Sequence, residues 1–165
     1  VFYPTSSIEE IRVNIRRMAK LLGVEARGES IITQMDRRIK KATERPIGEP
    51  KRALFYQPRG YTSGSNTVQN EALTLAGWSN ISAEHGIIGY GNIDLESVLL
   101  AKPDQFFTSA YAPGSNSLAQ RELNHPAVEM IAKGRPMINI DYRYWICGGP
   151  MIAEAIEILA EIRRR

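Results

Sequence analysis

The residues able to act on a ligand crowd into three loops. These are Gln57-Pro58-Arg59-Gly60-Tyr61-Thr62-Ser63-Gly64-Ser65-Asn66, Tyr111-Ala112-Pro113-Gly114-Ser115-Asn116-Ser117, and Asp141-Tyr142-Arg143-Tyr144-Trp145-Ile146-Cys147-Gly148-Gly149-Pro150. Tyrosine and tryptophan present a large apolar face with a polar tip, and a guanidinium beside them adds charge and flat stacking. Arg59, Tyr61, Tyr111, Arg143, Tyr144 and Trp145 are therefore the candidates for holding a large, flat or polyoxygenated ligand, with Tyr90 added from a separate polar stretch. Some of these rings must also pack the core.

The pattern Tyr-x-x-Gly-Ser-Asn-Ser/Thr occurs in both of the first two loops, each time ahead of a helix. Ser65, Asn66, Ser115 and Asn116 suit the free N–H groups of a helix start. The same N-termini could equally face anionic or carbonyl groups of a ligand.

No sequence pattern supports bond-making chemistry. The phosphate-binding Gly-x-x-x-x-Gly-Lys-Ser/Thr, the dinucleotide Gly-x-Gly-x-x-Gly and the nucleophile elbow Gly-x-Ser-x-Gly are all missing. His85 and His125 lack metal-ligand spacing, and Glu84, Asp94 and Glu96 read as loop or helix-start carboxylates. Cys147 is the one cysteine, which excludes an internal disulfide and a multi-cysteine metal site and leaves packing as its simplest role. No catalytic residue, cofactor or metal is assigned.

At 165 residues and 43% hydrophobic, the chain is long enough to bury a core, and its 24% charged residues are ordinary for a folded domain. The net charge of +3 is mild; the closing Arg163-Arg164-Arg165 reads as a solvated helix end, not a nucleic-acid surface. No apolar run approaches the ~20 residues of a membrane-spanning helix. Val1-Phe2-Tyr3-Pro4 resembles the end of a strand, so the chain is expected to begin within a domain.

The elements that must position the three loops alternate. Ser7 and Glu10 form a capping-box pattern, and Ile8, Ile11, Ile15, Met18 and Leu22 follow at helical spacing to a stop at Gly23. A second helix is predicted over 28–45, with Ile32, Met35, Ile39 and Ala42 on one face. Pro46, Gly48 and Pro50 break it. Strands are predicted at 52–56, 105–109 and 137–140. Helices are predicted at 67–76, at 95–101 behind Asp94, near 118–123 and 127–132, and from Pro150 to 162. Strands alternating with helices give right-handed crossovers and a mainly parallel, helix-covered α/β sheet, with ligands beyond the carboxyl ends of its strands.

Several stretches, taken in order, resemble the periplasmic binding proteins that serve ABC importers of ferric siderophores, haem and cobalamin. They are Asn70-Glu71-Ala72-Leu73-Thr74-Leu75-Ala76-Gly77-Trp78-Ser79-Asn80-Ile81, then Gly91-Asn92-Ile93-Asp94-Leu95-Glu96-Ser97-Val98-Leu99, then Lys102-Pro103-Asp104-Gln105-Phe106-Phe107. Trp145 with Gly149-Pro150 matches the end of that pattern, and Thr5 to Gly23 matches the part before its long helix. The resemblance implies two lobes joined by a long linking helix. Residues 1–50 would be the end of the N-terminal lobe with that helix, and residues 51–165 the C-terminal α/β lobe. It implies an extracytoplasmic protein, soluble in the periplasm or lipid-anchored, that holds a ferric siderophore, cobalamin or haem between its lobes. Arg59 and Arg143 would then offset ligand charge. It further implies that Glu96 pairs with an arginine of the membrane permease, although a glutamate in a first helical turn is favourable on its own account. An enzyme of unrecognised motif and a ligand-sensing regulatory domain are the alternatives.

Overall fold

Ser7 caps the first helix, α1 (Ile8–Leu22), by accepting from the Glu10 N–H at 3.2 Å. Glu10 reaches one residue beyond the capping box, accepting from the Ser6 backbone N–H at 2.6 Å and the Ser6 hydroxyl at 2.8 Å. These bonds, the backbone one foremost, hold its carboxyl below the ordinary range. The structure is a computed structural model that describes residues 5–44, 48–109 and 136–165. Tyr111, Ser115, Asn116, His125 and the helices expected near 118–123 and 127–132 lie outside the described residues, as does the strand end expected at 1–4.

Gly23, at φ 65°, ends α1 in the left-handed conformation. The next helix, α2 (Glu25–Thr43), begins three residues before the expected start at 28. Gly28 is not a helix start but a crossing point. It is buried, and a Cβ there would run into the Cβ of Ala19 on α1.

Among the described residues four parallel strands make the main sheet, in the order β3 (Trp78–Asn80), β1 (Lys51–Phe55), β5 (Gln105–Thr108), β6 (Ile138–Asn139). The register sets Ala53 between Asn80 and Gln105, and Phe55 opposite Phe107. A separate antiparallel ribbon joins β2 (Tyr61–Ser63) to β4 (Tyr90–Asn92). Of these six strands only β1, β5 and β6 were expected.

Residues alternate between two cores, as period-two strands require. Ala53, Phe55 and Phe107 point to one face, where α1, α2, α3 (Val68–Leu75) and α7 (Ile152–Arg164) supply Ile11, Met35, Leu73, Ile156 and Leu159. Leu54, Tyr56 and Phe106 point to the other, where they meet Ile81 of α4 (Ile81–Glu84) and Val98 and Ala101 of α5 (Leu95–Ala101). The two N-terminal helices thus share a core with the strands. The expected helix-covered parallel sheet is what forms.

Local chemistry moves two boundaries. Thr67, not Ser65 or Asn66, caps α3, accepting from the Asn70 N–H at 3.2 Å. Ser65 is instead bridged to Ile88, and Asn66 takes a left-handed φ of 57°. Pro150 sits in the turn ahead of α7 and does not open it.

Of the basic C-terminus only Arg165 is exposed. Arg163 is 6% exposed, donates to the Gly77 carbonyl at 3.0 Å and to that of Glu49, and lies over the Trp78 ring. Arg164 donates to the Ala42 carbonyl, and Arg165 pairs with Glu161 at 3.6 Å. Carbonyls at 42, 49 and 77 take up donors that the sequence alone leaves pointing at water.

Candidate functional site

The chain runs from β1 outward to β3, then returns past β1 to β5, so the switch in strand order lies between β1 and β5. In open parallel sheets that switch opens a crevice beyond the carboxyl ends of the strands. A cavity of about 340 Å³ occupies this position. Phe55 and Gln57 enter its wall from the end of β1, Ser109 from the end of β5, and Tyr142, Trp145 and Ile146 from the segment after β6 that includes α6 (Arg143–Ile146). Tyr61, Thr62, Ser63 and Tyr90 come from the ribbon, and Gln69 from the first turn of α3.

The ribbon is carried on the sheet by buried hydrogen bonds. Thr62 Oγ1 donates to the Phe55 carbonyl at 2.6 Å and meets Ser82 Oγ at 2.6 Å. Asn80 Nδ2 donates to the Ser63 carbonyl at 2.9 Å and to Asn70 Oδ1 at 3.0 Å, while Asn80 Oδ1 accepts from the Ser82 N–H. The turn before β2 places Arg59 and Gly60 both at positive φ, 62° and 72°. The Arg59 carbonyl accepts from Asn92 Nδ2 at 3.0 Å, which ties that turn to β4.

On this support Tyr61 and Tyr90 lie diagonally across the two strands, since Tyr61 is opposite Asn92 and Ser63 is opposite Tyr90. Their rings stack, centroids 5.9 Å apart and planes 3° from parallel, with 45% and 53% of the two residues exposed. Diagonal neighbours on one face come within reach of long aromatic side chains. The Tyr90 hydroxyl donates to Gln69 Oε1 at 3.1 Å, fixing one end of the pair. Partial burial, with a smaller contribution from the Tyr90 phenol, pushes the Tyr61 hydroxyl above its ordinary value.

Trp145 also lines the cavity, edge-on to Phe55 with centroids 5.5 Å apart. Its indole Nε1 and the hydroxyl of Ser109 are both buried and meet no hydrogen-bond partner among the described residues. Leaving such groups unpaired costs about 1–3 kcal/mol each.

Among the residues singled out from sequence, the fold gathers Tyr61, Tyr90 and Trp145 around one cavity. Arg59, Arg143 and Tyr144 are not part of its wall. Arg143 is exposed, pairs with Asp141 at 3.5 Å and donates to the Tyr144 hydroxyl at 3.2 Å; that bond foremost raises its affinity for its proton. Tyr144, 7% exposed, belongs to the core beneath α7. Sequence adjacency to Trp145 hid this, because consecutive residues on one helical turn point about 100° apart. Glu96 is exposed in the first turn of α5, behind the Asp94 cap. Gln57, Thr62, Ser63, Gln69 and Ser109 were not foreseen as lining residues. Glutamine, serine and threonine carry no signal that separates a cavity wall from a solvated loop.

A crevice at a sheet switch point, walled by aromatic rings, amides and hydroxyls, is the candidate site. The chain belongs to the periplasmic binding protein family, whose sequence model matches residues 1–132. That family consists of binding proteins, not enzymes. No protein of curated function matches the sequence. Among solved structures it is similar to the periplasmic heme-binding protein RhuT from Roseiflexus sp. RS-1 in apo form, at 27% identity and a TM-score of 0.84, covering 98% of this chain and 64% of that one. The periplasmic heme-binding protein HutB of Vibrio cholerae shares the fold at 21% identity and a TM-score of 0.81, covering 98% of this chain and 66% of that one. The vitamin B12 binding protein BtuF of Vibrio cholerae does so at 17% identity and a TM-score of 0.73, covering 97% and 62%. The chain therefore spans about two thirds of the length of these proteins. Among the described residues no helix is long and apolar enough to cross a membrane.

Proposed function

We propose that this chain is the ligand-holding lobe of the substrate-binding component of an ABC importer. In this reading it captures a ferric siderophore, a cobalamin-like ligand or haem outside the cytoplasm and hands it to a permease. In it residues 51–165 are the C-terminal lobe, and residues 1–50 are the end of the N-terminal lobe with the linking helix. One observation carries the reading: the switch-point cavity is lined by a stacked tyrosine pair and by Trp145. Such a wall is already formed, so a large ligand is gripped without the cost of ordering loops around it. Family membership and the likeness to RhuT, a heme-binding protein at 27% identity, support an iron- or cobalt-chelate class of ligand. Glu96, exposed on α5, is the proposed contact with the permease.

Intrinsic fluorescence during titration with ferric siderophores, cobalamin and haem tests the site. Trp145 should respond to the ligand, whereas Trp78, buried against α7, should not, so a Trp145→Phe variant should lose the response. If Trp145→Ala and Tyr61→Ala both bind an accepted ligand as tightly as the unaltered protein, this cavity is not the site.

A further inference from the structure

The entry to α1 touches two of the segments that wall the cavity. Ser7 gives its hydroxyl to the Glu10 N–H as a cap, which leaves the Ile8 N–H among the free donors of a helix start. Glu71 of α3 supplies the acceptor, its Oε2 taking the Ile8 N–H at 2.7 Å. The helix dipole favours a carboxylate at that end as well. Glu71 stands two residues after Gln69, whose Oε1 accepts from the Tyr90 hydroxyl, and one after Asn70, whose Oδ1 accepts from Asn80. Three residues before Ile8, Thr5 lies against Gly148, so closely that a Cβ on that glycine would run into the Thr5 side chain. Gly148, at φ 47°, follows α6, and α6 carries Trp145 and Ile146 into the cavity wall. One short stretch, Thr5–Ile8, thus meets both the α3 segment and the α6 segment of the wall. It continues into α1, which is tied to α2 by Arg12 to Asp36 at 2.9 Å and Arg16 to Glu29 at 2.8 Å, over a shared core that includes Ile11 and Met35.

From these contacts we infer that Thr5–Ile8 is a strap that couples the cavity to the α1–α2 helix pair. Glu71 and Gly148 are its positioning residues: neither is in the cavity wall, and each sets the place of a wall segment. Coupling of this kind is reciprocal. A ligand that shifts Gln69 or Trp145 pulls on the strap and so on α1, and a displacement of α1 alters the spacing of the two wall segments. The inference rests on the import reading only in taking this cavity as the site and α2 as the helix between lobes.

The test uses the full chain, isotope-labelled for nuclear magnetic resonance, and its first arm needs no ligand. The Trp145 indole N–H peak reports the α6 segment and the Gln69 side-chain amide peaks report the α3 segment. Glu71→Ala should shift the Trp145 peak, and Gly148→Ala should shift the Gln69 peaks, each at the far end of the strap. Glu71→Gln, which keeps an acceptor for the Ile8 N–H, should leave the Trp145 peak where it is in the unaltered protein. Thr5→Ala, which alters the strap and neither wall segment, should shift both sets of peaks. Thermal unfolding shows which variants are folded, and Thr5→Ala decides alone if the other two are not. Shifts confined to the near end in Glu71→Ala and Gly148→Ala, or a Thr5→Ala spectrum in which neither set moves, overturn the strap. The second arm reads affinity for haemin, cyanocobalamin and ferrioxamine. Whichever of them the unaltered protein binds, Glu71→Ala should bind roughly tenfold more weakly and Glu71→Gln within about threefold. Equal binding by Glu71→Ala overturns the coupling to ligand. Binding of none of the three counts against the import reading alone, and the ligand-free spectra still decide the strap.

Discussion

Arg38 on α2 grips Glu157 on α7 as a two-point fork, Nε to Oε1 at 2.9 Å and Nη2 to Oε2 at 2.6 Å, and its third nitrogen reaches Glu154 at 3.1 Å. This fork joins the N-terminal helix pair to the last helix, over the buried seam of Met35, Ile39 and Ile156. Bidentate geometry is the strong form of the guanidinium–carboxylate bond. The hydrogen bonds from Arg38 hold the Glu157 carboxyl below the ordinary range. A carboxyl depressed by folding stabilises the native state above its unfolded value and loses that contribution as pH falls through the folded one.

Glu157→Gln should therefore lower stability at neutral pH by about 0.5–1 kcal/mol, since the pair is more than a third exposed and water screens it. The deficit should shrink as pH drops below the carboxylate range near 4. Urea unfolding of both proteins at neutral and acid pH reads this directly. A deficit independent of pH would mean that the glutamine is disturbing packing and not removing a charge pair.

Trp145 gives two substitutions with opposite expectations. Its indole N–H is buried and meets no partner among the described residues, so Trp145→Phe removes an unsatisfied donor while keeping a ring against Phe55. Stability should stay level or rise. Trp145→Ala should cost about 2 kcal/mol or more, because the Phe55 ring loses its edge-on neighbour. Thermal denaturation of the pair decides it, and a Phe variant as damaged as the Ala variant would show that the N–H has a partner in solution.

The elements legible in the sequence were those whose signals are local. Ser7, Gly23 and Asp94 mark helix ends by their own side chain or backbone freedom, and the runs at β1, β5 and β6 are apolar enough to stand out. Tyr61-Thr62-Ser63, Trp78-Ser79-Asn80 and Tyr90-Gly91-Asn92 are three residues each, too short for alternation to register, and polar enough to pass for loop. What holds the ribbon in place is long-range: Thr62 to Ser82, and Asn80 to Ser63 and Asn70. No local pattern announces such bonds. For the site, residue type picked out Tyr61, Tyr90 and Trp145, but type says nothing of direction. Arg143 turns to Asp141 and Tyr144 and stays outside the cavity wall.

Gly64 is where the ribbon closes. Its N–H donates to the Gly89 carbonyl at 2.7 Å, and the next N–H, of Ser65, donates to the Ile87 carbonyl at 2.9 Å. A Cβ on Gly64 would collide with that same Ile87 carbonyl oxygen, which is backbone and cannot rotate away. Gly64→Ala should force the 87–89 segment outward and carry Tyr90 off Tyr61, costing about 2 kcal/mol and weakening ligand binding. Gly86→Ala is the matched control, with open space around its Cβ and only the left-handed φ of 78° to strain, for about 1 kcal/mol. Near-ultraviolet circular dichroism reports the tyrosine pair. If Gly64→Ala leaves that signal and the stability as Gly86→Ala does, the close approach of the two segments is not what sets the stack.

Glu96 tests the proposed docking separately from ligand capture. It is exposed on α5, which packs on the face of the sheet with Leu54 and Phe106, while the cavity is walled by Phe55, the ribbon and Trp145. Removing it should leave the cavity intact, so ligand affinity for Glu96→Ala should match that of the unaltered protein. Uptake in cells carrying the cognate permease should fall, because a rim charge governs encounter and orientation more than affinity. Charge reversal sharpens the expectation: Glu96→Arg would face the permease arginine with a like charge and should reduce uptake further than Glu96→Ala. Raising the ionic strength should narrow the gap between the two variants, since exposed charges are screened over about 10 Å at 0.1 M salt. Two results would remove Glu96 from the docking surface: ligand affinity that drops with Glu96→Ala, or uptake that is indifferent to the sign of the side chain.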